Sequence, residues 1–389
     1  MSTNVGPVTV RALSPTDWPS LTEVLSQSFN APPAGWDLFR DRLGDENVRV
    51  AWEGSRIVGG CGIYPMGQFW CGKSVPLGGI GGVGVVPDAR GRGVAKALML
   101  DVLRSLHERG FPVAGLYPAT QRVYRSVGYE QSGERLQYQA PLASLTGFRQ
   151  EVEVIPVEPL DVRVRDLFAA RYRPVHGNLD RSEAIWGRIT QPYVGRRFAW
   201  LLGDDGYVVL HHQPAEGPHW ELEVVDLHAP SPATARSLLA LLASHRSMCE
   251  KVRWFGAPAD PLLGLFPEPT WSVTQAQRWM LRIVDFAAAI AARGWPEGAR
   301  GEVHLSIDDP QLLQNHGDVV LTVEGGVGSV RPGGQGDLRL TARALGPLFS
   351  GYFSSSTLVS LGLAEGSGRA LTTADRLFAA PTPWMREMY

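Results

Sequence analysis

The chain has 389 residues, 44% of them hydrophobic and 20% charged, with a formal net charge of -2. At that length two to three domains are expected, because single cores stop growing at roughly 250–300 residues, and the balanced charge leaves no basic surplus to recruit nucleic acid. Three cysteines without CxxC spacing (Cys61, Cys71, Cys249), no charged-then-apolar leader, and an apolar run at Ala287–Ala292 too short to span a bilayer predict a cytoplasmic protein without a disulfide framework or a membrane segment.

In chain order, Val8, Val10 and Leu13 predict an edge strand, and Ser14-Pro15-Thr16-Asp17 a turn that caps a helix carrying Leu21, Val24, Leu25 and Phe29. After Pro32-Pro33-Ala34-Gly35, a second short helix carries Trp36, Phe39 and Leu43, and the loop between the two helices lies where a substrate can enter. Val48–Trp52 and Arg56–Ile63 read as a hairpin around Glu53-Gly54-Ser55, and Gln68–Trp70 with Lys73–Leu77 as a second one around Cys71-Gly72. Gly79-Ile80-Gly81-Gly82-Val83-Gly84 satisfies GxGxxG, yet it runs into Val85-Val86-Pro87 rather than opening a helix, so a dinucleotide site is rejected.

Val83–Val86 is a β-branched run ended by Pro87-Asp88, and Leu98, Val102 and Leu103 recur beyond it at helical spacing. Between them lie Arg90, Gly91, Arg92, Gly93, Val94 and Ala95. Glycines and a small residue at the first turn of a helix leave the backbone N–H groups uncovered at the positive end of the helix dipole, which suits a phosphate. Strand Pro112–Tyr117 follows, then a short helix with Val123, Tyr124 and Val127, stopped by Gly128-Tyr129.

This order of helices, meander and β–α–β–α resembles the GCN5-related N-acetyltransferase fold. Its phosphate-loop pattern is met by Arg90, Gly93 and Ala95, its tyrosine after the next strand by Tyr124, and its Gly-Tyr ending by Gly128-Tyr129. The resemblance implies that the amides of Arg90–Ala95 hold the pyrophosphate of acetyl-CoA, taken as a cosubstrate. Val83, Gly84 and Val85 then line the pantetheine arm, with the Val85 N–H as an oxyanion donor to the thioester.

A degenerate echo follows. Trp220–Pro230 is again a strand, leading to a helix at Ala233–Leu242, but Ser231-Pro232-Ala233-Thr234 stands where Arg and Gly stood before. From Leu281 the pattern changes: helix Phe286–Ala292, strands Glu302–Ile307, Asp318–Val323 and Asp337–Leu340, and a helix with Leu345, Leu348, Phe349 and Phe353, a block that resembles a sterol-carrier-like α+β domain. The expected fold class is therefore α/β (α+β): an acetyltransferase domain over 1–142, a degenerate one over 143–283, and the sterol-carrier-like domain over 284–389. That architecture resembles the enhanced-intracellular-survival family of actinobacterial acetyltransferases.

The family resemblance implies direct acetyl transfer to a primary amine, with aminoglycosides the best-known acceptors and amine-bearing peptides also allowed, and a homo-oligomer of up to six copies. It makes Tyr124 the proton donor to the leaving thiolate, or else a core tyrosine. It makes the carboxylate of Tyr389 the base, although a free α-carboxylate titrates near about 3.5 and is weak unless buried. Trp384, Met385, Met388 and Tyr389 are apolar for a frayed end, which predicts docking. Trp36 and Phe39 either line the amine pocket or simply pack. No HExxH or Cys/His zinc spacing occurs, so no metal is expected, and His211-His212 reads as a strand edge. A competing expectation is a lipid-binding or regulatory protein that works through the third block, with both transferase halves inert.

Overall fold

The computed structural model describes residues 7–191, 195–214 and 220–389. The first part contains β1 (Val8–Ala12), α1 (Trp18–Phe29), α2 (Ala34–Leu43), β2 (Val48–Glu53), β3 (Arg56–Trp70), β4 (Lys73–Val85), α3 (Val94–Glu108), β5 (Val113–Leu116), α4 (Gln121–Arg125) and β6 (Glu130–Pro141). The second contains β7 (Val154–Val157), α5 (Val162–Tyr172), β8 (Leu179–Asp180), α6 (Glu183–Thr190), β9 (Arg197–Leu202), β10 (Gly206–Pro214), β11 (Trp220–His228), α7 (Pro232–Ser244), β12 (Cys249–Gly256) and β13 (Ser272–Ile283). The third contains α8 (Phe286–Ala292), β14 (Gly301–Asp308), β15 (Gly317–Glu324), β16 (Val327–Pro332), β17 (Leu338–Thr341), α9 (Ala342–Ser350), α10 (Ser355–Ser360), β18 (Ala364–Gly366) and α11 (Gly368–Phe378).

Among the described residues, the first two parts share one thirteen-stranded sheet in the order β1-β2-β3-β4-β5-β13-β6-β12-β11-β10-β9-β7, with β8 alongside β3. Two exchanges make it continuous. Strand β13 of the second part lies antiparallel between β5 and β6 of the first, while β6 of the first lies antiparallel between β12 and β13 of the second. Each half thus receives a strand from the other, and β4 parallel to β5 is mirrored by β11 parallel to β12. Fully buried Arg282 on β13 fixes the junction: it donates to the Val127 carbonyl oxygen at 2.9 Å and pairs with Asp309 of the third part at 2.6 Å.

Both predicted hairpins are present, as β2–β3 and β3–β4, but the segments Arg56–Ile63 and Gln68–Trp70 are one strand. β3 runs unbroken over fifteen residues and turns at Cys71-Gly72, where Cys71 itself has φ 44°. Its glycines are tolerated because helices press on them: an added Cβ at Gly60 would run into Leu21, and at Gly59 would sit 3.1 Å from Val94. The histidines of β10 are not at an edge either. β10 is hydrogen-bonded on both sides, to β9 and β11, so His211 is buried within the sheet. In the third part, the sheet runs β16-β15-β14-β17-β18, and α9 ends at Ser350, so Phe353, expected in that helix, lies beyond its end. Strand β16 and helices α10 and α11 were not legible in the sequence.

Candidate active site

Strand β4 carries the cleft. Its parallel pairing with β5 spans Leu77–Ile80 against Val113–Leu116 and then stops, so Gly81 to Val85 continue with a free edge on that side. A bulge sits where they separate: the register with β3 slips between Gly60↔Gly84 and Gly62↔Gly81, and Gly82 takes φ 63°. Val86 donates to the Val58 carbonyl oxygen at 3.0 Å, so Val85, one residue earlier, turns its N–H to the free edge. Val83 and Val85 are half-buried there, whereas Gly84 is covered by Ser28 and Leu25 of α1.

At the end of this edge, Arg90 donates through Nε to the Val85 carbonyl oxygen at 3.2 Å, and Arg92 pairs with Glu53 at 3.0 Å. Gly91 (φ 78°) and Gly93 (φ 86°) turn the chain into α3, with open space where a Cβ would stand. Gly93 is the N-cap and supplies no side-chain cap, so the first-turn amides of α3, from buried Val94 and half-buried Ala95, have no side-chain acceptor. The second half differs at the matching place. Ser231 and Thr234 form a reciprocal capping box on α7, with Thr234 N–H donating to Ser231 Oγ at 3.1 Å and Ser231 N–H to Thr234 Oγ1 at 3.0 Å. One helix N-terminus is open to an anion; its counterpart is closed by its own side chains.

On the face of β4 opposite α3 lies the last residue of the chain. Gly78 meets Leu106 of α3, while an added Cβ at Gly79 would lie 2.7 Å from the Tyr389 ring and one at Gly81 3.0 Å from the Tyr389 carboxyl carbon. The segment reaches this place through a series of contacts. Glu134 N–H donates to the Pro383 carbonyl oxygen (3.0 Å), Asn178 to Trp384 (2.8 Å), Arg135 to Arg386 (2.7 Å) and Tyr117 to Glu387 (2.8 Å). Arg181 holds the Glu387 carboxylate and also pairs with Asp226 at 2.6 Å, all of them buried. Trp384, Met385 and Tyr389 are buried, as the predicted docking of the apolar end requires, whereas Met388 is exposed.

Aromatic rings run from there to the helix loop. Tyr117 and Tyr64 flank the Tyr389 ring at 5.9 and 6.2 Å, Phe39 follows Tyr64 at 6.1 Å, and Trp36 follows Phe39 at 5.4 Å. Phe39 also closes on Gly82 at the bulge, so Trp36 and Phe39 stand beside the carboxyl end of Tyr389. Tyr124, on α4, is buried against Tyr129 with ring centroids 6.2 Å apart, and burial, followed by nearby Cys61, pushes its phenol up to about 12. It stays protonated at ordinary pH. Sequence reasoning did not single out Tyr64, Tyr117, Arg135, Arg181, Asp226 or Arg188. Only Tyr117 carried a signal, as the residue at the end of a buried strand.

Comparison with known proteins agrees with this architecture. Models described as acetyltransferase (GNAT) domains match residues 9–132 and 177–283, and one described as a sterol carrier protein domain matches residues 286–386. The structure is similar to a GCN5-related N-acetyltransferase from Anabaena variabilis, with 32% identity, a TM-score of 0.94 and 98% of this chain and 100% of that one covered. It is also similar to one from Kribbella flavida, at 32% identity and a TM-score of 0.89 over 99% of both chains. In sequence it is 26% identical to the N-acetyltransferase Eis of Mycobacterium tuberculosis over 97% of this chain and 98% of that one. With tandem acetyltransferase domains followed by a sterol carrier domain, the chain belongs to the Eis-like GCN5-related N-acetyltransferases and is an N-acetyltransferase.

Proposed function

We propose that the enzyme transfers the acetyl group of acetyl-CoA directly to a primary amine of a small molecule or peptide, using one cleft per chain. The observation that carries this reading is the pairing of a free β4 edge with the uncapped N-terminus of α3, which the second half lacks. The amides of Arg90–Ala95 bind the pyrophosphate, and the edge at Val83–Val85 binds the pantetheine arm. The amine nitrogen attacks the thioester carbonyl carbon, the C–N bond forms and the C–S bond breaks. The Val85 N–H, on the free edge, offers a hydrogen bond to the carbonyl oxygen as it gains charge.

The proton lost by the amine goes to the carboxylate of Tyr389, whose carboxyl carbon lies against Gly81. The departing thiolate takes a proton from Tyr124, whose raised phenol pKa keeps a proton available throughout the working range. We also propose the division 1–142, 143–283 and 284–389, the first block carrying donor binding and the last bringing Tyr389 to it. The lipid-binding alternative has less support. The apolar residues of the third sheet, Leu305, Leu321 and Val323, are buried in one core with Ile290 of α8, Leu345 of α9 and Leu377 of α11.

The test has two parts: calorimetric titration of acetyl-CoA into the full chain, and release of free thiol when amines are added. Saturable one-to-one binding and amine-dependent release are expected. Absence of acetyl-CoA binding overturns the reading.

A further inference from the structure

A cavity of about 220 Å³ lies between α6, β11, β12 and the C-terminal segment, with Met388 in its wall, one residue from the carboxylate of Tyr389. Five arginines line it: Arg135, Arg181, Arg188, Arg197 and Arg386. Among the described residues, only two carboxylates do, Glu223 and Glu387. Three of the arginines are neutralised within the protein. Arg181 is held by Asp226 and Glu387, Arg386 by Asp226 at 3.5 Å with the Tyr172 hydroxyl at 3.0 Å, and Arg197 by Glu223 at 3.4 Å.

The other two are not. Arg135 donates to the Arg386 carbonyl oxygen and to Gln277 at 2.9 Å and stacks 3.3 Å from the centre of the Phe255 ring. Arg188 donates to the Tyr64 hydroxyl at 3.3 Å. Neither has a carboxylate at ion-pair distance among the described residues, and both are half-buried. Guanidinium stays charged at any working pH. Two unneutralised cations in one recess are costly in the empty protein and favourable once an anion enters.

Arg188 and Met388 link the recess to the end of the chain. The Tyr64 hydroxyl that receives Arg188 belongs to the ring whose centre lies 6.2 Å from that of the Tyr389 ring, so an anion at Arg188 sits one aromatic ring away from Tyr389. We propose that the acceptor of this enzyme is an amine that also carries an anionic group, carboxylate or phosphate, which the Arg188–Arg135 wall binds while the amine faces Tyr389. This rests on the acetyl-transfer reading above. It also runs against a polycationic acceptor such as an aminoglycoside, whose ammonium groups would meet a cationic wall.

Matched acceptors test it with the full chain and saturating acetyl-CoA: 4-aminobutyrate against its amide, and 2-aminoethyl phosphate against ethanolamine, with spermidine as the polycation. At least one anionic acceptor is expected to exceed its neutral partner about tenfold in kcat/KM, the scale of one charge-assisted hydrogen bond. Which pair shows the larger ratio separates carboxylate from phosphate. Arg188→Gln is expected to reduce that ratio about tenfold through KM, and Arg188→Lys to restore part of it. Equal or better turnover of the neutral amines or of spermidine overturns the proposal while leaving acetyl transfer intact, and so does an anion preference that survives in Arg188→Gln. Thiol release with none of the amines, together with no acetyl-CoA binding, overturns acetyl transfer itself. Calorimetric titration of 4-aminobutyrate and of 2-aminoethyl phosphate reads the wall without turnover, and no heat from either also counts against it.

Discussion

The hydroxyl of Tyr117 donates to the carbonyl oxygen of Glu387 at 2.8 Å, tying the residue after β5 to the segment that ends in the site. Burial pushes this phenol well above its ordinary range, so it remains a donor. Tyr117→Phe removes the tie and leaves a buried carbonyl short of a partner, a loss of about 1 kcal/mol in the docked position of the end. Steady-state kinetics should show kcat lowered by about fivefold, with the acetyl-CoA dissociation constant unchanged. A fall in acetyl-CoA affinity would contradict this placement of Tyr117.

Tyr124→Phe keeps the ring that packs against Tyr129 and deletes only the hydroxyl that donates the proton. Turnover should fall by about a hundredfold or more, the usual scale for a lost general acid, with acetyl-CoA affinity and melting temperature near those of the unaltered protein. Near-normal turnover would leave Tyr124 as a core residue.

Gly81→Ala puts a methyl group 3.0 Å from the Tyr389 carboxyl carbon, closer than ordinary packing allows. Either the strand or the carboxylate must shift by a few tenths of an ångström. Because displacement of this size matters in positioned catalysis, kcat should drop by about tenfold or more. Adding one residue after Tyr389 should do the same by a different route, and full activity in both variants would remove the carboxylate from the mechanism.

The two helix N-termini give a paired test. Gly93→Ala meets no clash, yet φ 86° is strained for alanine by about 1–2 kcal/mol, so the loop should distort and KM for acetyl-CoA rise. Ser231→Ala opens the capping box of α7 and should cost about 1 kcal/mol in thermal unfolding, with acetyl-CoA binding untouched. Loss of donor affinity in the serine variant would mean that the second half takes part in donor binding.

Two buried histidines make the fold acid-sensitive. His176 and His228 are lowered to about 4, first by burial and then by Arg293 and Arg171 respectively, from an ordinary value near 6.5. Between those values the unfolded chain binds protons that the folded chain refuses, so stability rises with pH through that window and is lost on acidification from about 6.5 towards 4. The loss has an upper bound of about 3 kcal/mol per histidine. Melting curves at stepped pH should show the decline, and His176→Gln should flatten it.

The open cleft was legible because its determinants are local. The glycines Gly91 and Gly93, a proline stop and a helical repeat all lie within Val83–Leu103, where local backbone preference goes far to set their shape. The docked end was legible through its apolar composition. The glycine run from Gly78 to Gly84 was visible but its purpose was not, because what needs the missing side chains is Leu106 on one face and Tyr389 on the other. Likewise, nothing near Arg282 announces Asp309, nor near Arg188 the ring of Tyr64, 124 positions away in sequence. Strand β13 is exposed along its first half and buried on both faces over Trp279–Ile283, a pattern that records burial without naming the neighbouring strands.

The exchange of β6 and β13 gives the second half, whose corresponding helix N-terminus is capped by its own side chains, a structural part in the first. The free edge of β4 lies beside β5, and β5 has β13 on its other side, so the second half contributes a strand to the wall of that edge. Deleting it would leave β5 and β6 with bare edges prone to pair with other chains. A fragment ending at residue 142 should therefore aggregate instead of behaving as a smaller acetyltransferase. Each half completes the sheet of the other, so the two fold as a single unit and neither is separable as a domain of its own.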